Sequence, residues 1–134
     1  MMNNDKKAIL EELVFDEEEE FNKLVKKAKL LVKIKKSDGQ PKLLHKTKLT
    51  VEEQIGCFIL GKYFAKEMEL VDSAQVDIDD ISGGLGVSKG IARARLSDLA
   101  SKEIIDRPTR GKYEISFFKL EEFLDNLLTK IKTE

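Results

Sequence analysis

The side chains best suited to chemistry in this chain are cations. Lys89, Arg93 and Arg95 fall in Ser88–Lys102, a stretch whose Ala92, Leu96 and Leu99 recur at helical spacing. Arg107, Arg110 and Lys112 flank Pro108-Thr109-Arg110-Gly111 a few residues on. A guanidinium is a planar fork of five donors that grips paired acceptors, whereas an ammonium acts as a point charge. Cations gathered on one surface attract a polyanion, and the local field matters more than the total charge. From Ser88 to Lys112 seven Lys and Arg stand against three acids, a local excess of +4, although the net charge of the chain is −1. A larger excess of +9 lies in Phe21–Lys48, where ten lysines meet the single acid Asp38. The acids collect in Glu11–Glu20 and Glu67–Asp80.

Other chemistries lack a residue set. One histidine, His45, and one cysteine, Cys57, do not make a zinc site of the usual kind. Gly83-Gly84-Leu85-Gly86 lacks the Gly-Lys-Ser/Thr continuation of a phosphate loop. Asp77, Asp79 and Asp80 do not have calcium-loop spacing, and helix capping accounts for them. No nucleophile stands beside a general base, so neither an enzyme nor a metal or cofactor is expected. Cys57 lies in the apolar run Ile55–Leu60 without a disulfide partner, which points to a reducing, cytoplasmic setting. No run approaches the roughly 18 apolar residues of a membrane span, and the first twelve residues lack a secretory apolar core.

Periodicity and caps define the elements that hold the cations. Asp5 to about Phe15 reads as a short helix. Asp16 can cap a second one, with Glu17–Glu20 in its first turn and Phe21, Leu24, Val25, Ala28, Leu31 and Val32 along one face. Leu31–Lys36 shifts to alternation. Asp38-Gly39 is then a two-residue hairpin signal in which both residues take positive φ, and Lys42–Leu49 is the return strand, shortened or made an edge by Pro41. Thr50 and Glu53 form a capping box opening a helix to about Met68, with Ile55, Phe58, Ile59, Tyr63 and Phe64 inward. Val71–Val76 is a loop. Asp77 caps a helix through Ile78, Ile81 and Leu85; Gly86-Val87 is a turn; Ser88 caps the cation-bearing helix. Ile104–Asp106 and Lys112–Ser116 are short strands around a turn. Leu120–Lys132 is a final helix with a broad apolar face.

From Thr50 to Ser116 this order resembles the winged helix-turn-helix proteins of the archaeal and bacterial transcription-regulator type. The matching residues are Ile81, Leu85-Gly86-Val87-Ser88, Leu96 with Leu99, and Ile104-Ile105 before the second turn. The resemblance implies that residues 88–102 form a recognition helix whose outer face (Lys89, Gly90, Arg93, Ala94 and Ser97) enters the major groove of double-stranded DNA. Small residues at 90, 94 and 97 permit close approach, Arg93 matches guanine O6 and N7, and Arg95 lies off the face towards the backbone. It further implies that the turn 107–112 is a basic wing, with Arg107, Arg110 and Lys112 at phosphates or in the minor groove. Gly83-Gly84 departs from the pattern and costs about 1 kcal/mol per glycine, so the helix there is expected to be short or loose, or to sit close to something.

The expected fold is mainly α with a small β component (α+β). Residues 1–49 make a helical and hairpin extension, 50–116 the winged domain, and 117–134 a helix that closes the core or pairs two copies. A homodimer is slightly favoured, and no effector is legible. A protein-docking module in a transcription or replication assembly remains the alternative.

Overall fold

The computed structural model describes residues 3–132 of the 134-residue chain. The described residues form six α-helices and two short hairpins around one central helix among the six, α3 (Val51–Glu67), in which every residue from Gln54 to Gly61 is buried, while α1 takes no part in the core. A helix that is apolar all round has to be covered on every side. The expected capping box starts it: Thr50 Oγ1 accepts from the Glu53 N–H at 3.2 Å, and Glu53 Oε1 accepts from the Thr50 N–H at 2.8 Å. Burial pushes the Cys57 thiol up to about 12, which leaves it an inert core side chain.

The N-terminal segment departs most from expectation. Helix α1 (Asn4–Glu11) stops four residues short of Phe15, none of its residues is buried, and Leu13, Val14 and Phe15 lie exposed beyond it. Asp16 caps α2 (Glu17–Ala28) as expected, accepting from the Glu18 and Glu19 N–H groups at 2.9 and 3.3 Å. The apolar face of α2 is only partly used. Ala28 and the following Leu31 are buried, whereas Phe21 and Val25 stay exposed.

Strands β1 (Val32–Ile34) and β2 (Pro41–Leu43) pair antiparallel, with Val32 opposite Leu43 and Ile34 opposite Pro41. The connection is longer than the two-residue turn expected. Only Gly39 takes a positive φ, of 73°, and Asp38 instead turns its carboxylate onto the Gln40 N–H at 2.9 Å. The return strand also ends at Leu43, well before Leu49. The chain then makes a short 3₁₀ turn over Lys46–Lys48, held to α3 by the buried Gln54 amide, which donates to the Lys46 and Leu49 carbonyls at 3.2 and 3.0 Å. A side chain pulling two carbonyls inward is incompatible with an extended ladder there.

Helices α4 (Ile78–Leu85) and α5 (Lys89–Ser101) follow, then β3 (Ile105–Asp106), β4 (Glu114–Ile115) and α6 (Leu120–Lys132). Gly86 ends α4 at φ 71° and Ser88 caps α5. Strands β3 and β4 pair antiparallel, one bond longer than their strict limits because the Ser116 N–H donates to Ile104 at 2.9 Å. The segment expected to be a plain loop, Val71–Val76, ends in a pairing: Val76 and Tyr113 exchange two backbone hydrogen bonds of 2.8 Å. The Gly83-Gly84 pair has a local reason at its second position. A Cβ on Gly84 would stand 2.5 Å from Phe58, so glycine lets α4 press against α3, while Gly83 faces open space.

One apolar cluster runs from Ala28 to Leu127 and draws on α2, α3, α4, α5, α6 and both hairpins. Leu120, Phe123, Leu124 and Leu127 of α6 are buried in it, with Leu128 and Ile131 packed against it, so the broad face of α6 closes the core. Lys27 bridges α2 to Glu121 and Asp125 of α6, both at 2.9 Å. No helix among the described residues is long and apolar enough to cross a membrane.

Candidate nucleic-acid interface

The cations expected to act together sit on two elements with a shared anchor. In α5, Ala92, Leu96 and Leu99 are fully buried, and Lys89, Gly90, Arg93, Ala94, Arg95 and Ser97 are all exposed. Burying that apolar stripe fixes the rotation of the helix, so the opposite face is bound to point outward. The β3–β4 turn exposes Arg107 and Arg110, with Lys112 half-buried at its base.

The Val76–Tyr113 pairing joins the two elements. It sets Asp77 beside Lys112, with carboxylate and ammonium 3.6 Å apart. In the same turn of α4, Asp79 takes Lys89 at 2.8 Å. Two lysines from different elements therefore converge on one acidic turn. The Asp77 carboxyl is held below its usual range, first by the Asp80 backbone N–H and then by Lys112. The Asp79 hydrogen bond raises the Lys89 ammonium above its ordinary value. Asp77 and Asp80 do cap the helix, as the sequence indicates, but Asp79 is the partner of Lys89, a role the capping explanation missed.

This arrangement changes the local charge. From Asp77 to Lys112 seven cations meet six acids, an excess of one in place of the four counted from Ser88 onward. Arg95 is also tied down, its Nε lying 3.4 Å from Asp98 of the same helix, and Arg107 stacks over Tyr113 at 5.5 Å from the ring centroid. Arg93, Arg107 and Arg110 form no ion pair among the described residues, and Arg93 and Arg110 make no ring contact either.

Two neighbours escaped the sequence reading. Ile91 is 50% exposed on the outer side of α5. It lines a shallow depression of about 650 Å³ with Gly90, Ala94, Arg95 and the Thr50–Glu52 start of α3. Its position just before the buried stripe already places it off that stripe, but an isoleucine invites an inward assignment. Lys46 comes from the basic N-terminal part and donates to the Leu85 carbonyl at 3.2 Å, a cation at the negative end of α4. Lys33 and Lys42 face one another across β1 and β2.

Comparison with protein-family models, with curated proteins and with solved structures finds no match for this chain.

Proposed function

We propose that the chain binds double-stranded DNA as a winged helix-turn-helix protein, with α5 as recognition helix, the β3–β4 turn as wing, and transcription regulation as its setting. One observation carries this reading: α5 is pinned by a fully buried Ala92-Leu96-Leu99 stripe, and its other side offers an unpaired Arg93 among Gly90, Ala94 and Ser97. Small neighbours let the helix backbone approach a groove floor, and the fork of Arg93 then reaches guanine O6 and N7, worth roughly 1–3 kcal/mol of base discrimination. Arg110 at the turn meets a phosphate. Lys89 and Lys112 exchange Asp79 and Asp77 for phosphate oxygens, which is feasible because solvent screening leaves an exposed ion pair only weakly held.

The near-balanced charge and the exposed Ile91 favour a second reading, a protein-docking module of a transcription or replication assembly. Selection of fragments from random duplex DNA at two salt concentrations separates them. A DNA-binding chain enriches one short motif at both, with total retained DNA falling as salt rises. Retention without any enrichment, or none at all, would leave the docking module.

A further inference from the structure

The N-terminal arm and a groove beside it are both apolar and both uncovered. Ile9, Leu13, Val14 and Phe15 have no place in the core, with Leu13 80% and Val14 74% exposed. Next to them lies an open groove of about 630 Å³ between α2, α3 and α6, lined by Phe15, Phe21, Leu24, Tyr63 and Phe117. Phe15 ends the arm and also lines the groove, so the two form one continuous surface. Each of six exposed side chains (Ile9, Leu13, Val14, Phe15, Phe21 and Phe117) offers roughly 100 Å², or about 600 Å² per copy. That is the upper end of what a monomer ordinarily exposes in one patch, about 300–600 Å².

We infer that this surface joins two copies of the chain, the arm of each lying in the groove of the other. The exchange is isologous, since the same arm and groove serve on both sides, and it closes at two copies. Reciprocal coverage hides about 1,200 Å², the lower bound of a specific stable interface. Helix α6 is not available for the purpose, because its apolar face is already buried within its own chain. The inference stands independently of DNA binding.

Light scattering and sedimentation of the full chain test it. The native chain should show twice its 15.3 kDa mass, and Leu13→Asp combined with Val14→Asp should halve that mass. Both side chains lie outside the core, so the unfolding temperature of the dilute variant should match that of the diluted native chain. A second measurement fixes the face: chains carrying Leu13→Cys, mixed with chains carrying Lys23→Cys and oxidised, should give a mixed disulfide dimer. Cys57 is buried and does not compete. A native chain of single mass at every concentration overturns the inference. So does a dimer that survives the double variant and gives no mixed disulfide.

Discussion

Asp79 holds Lys89 at 2.8 Å and Asp77 holds Lys112 at 3.6 Å, so a phosphate has to displace a carboxylate to take either ammonium. If the face binds DNA, those acids restrain it. Asp79→Asn should then tighten binding to any duplex by up to about fivefold, as read by fluorescence anisotropy at low salt. An unchanged or weaker affinity would separate α4 from the interface. Under the proposed function Arg93 and Arg110 have different roles. Arg93→Ala should weaken binding to a selected site more than to random duplex, whereas Arg110→Ala should weaken both alike. Equal losses on both sequences for both variants would refute the assigned roles. The paired state of Lys89 was not legible in the sequence, because Asp79 lies ten residues earlier, and only the α4–α5 turn brings the two together.

At the scale of the elements, caps and periodicity were legible and long-range pairings were not. Thr50, Asp77 and Ser88 each cap the helix expected of them, since a cap is a contact within three residues. The Val76–Tyr113 pairing spans α4 and α5 and leaves no local mark, and the early end of β2 depends on Gln54, a residue of another element. Glycines 83 and 84 look alike in sequence and differ in space. Gly83→Ala should stabilise the fold by about 1 kcal/mol through helix propensity. Gly84→Ala should destabilise it by roughly 1–3 kcal/mol, because its Cβ meets the Phe58 ring. Thermal unfolding of the pair checks this, and two changes of the same sign would contradict the packing of α4 on α3. The start of α3 is sensitive to acid. Burial alone would raise the Glu53 carboxyl, but Lys130 at 2.6 Å and the Thr50 N–H outweigh it and hold it below its usual value. A depressed carboxylate contributes stability that is complete above its unfolded pKa, near 4.3, and is lost as pH falls through the folded one. The native chain should therefore lose stability below about pH 4.3, and Glu53→Gln should flatten that loss in a pH series of melts.

The molecule as a whole is mainly helical with two short hairpins, as its patterning implied, and one core from Ala28 to Leu127 unites the N-terminal, central and C-terminal segments. The buried half of the candidate site was legible because Ala92, Leu96 and Leu99 keep helical spacing. Its electrostatics were not, because a charge count along the chain from Ser88 omits Asp77 and Asp79 at the start of α4, which fold back onto Lys112 and Lys89. The apolar arm at residues 9–15 reads in sequence as part of a short helix and is exposed surface in the folded chain. The central proposal is that the outer face of α5 and the β3–β4 turn together meet double-stranded DNA. Backbone amide shifts of the full chain titrated with duplex DNA test it most directly. Perturbations should cluster at Lys89–Ser97 and Arg107–Lys112 and shrink as salt is raised. Shifts confined to the α2–α6 groove or to the β1–β2 hairpin, with α5 silent, would contradict it.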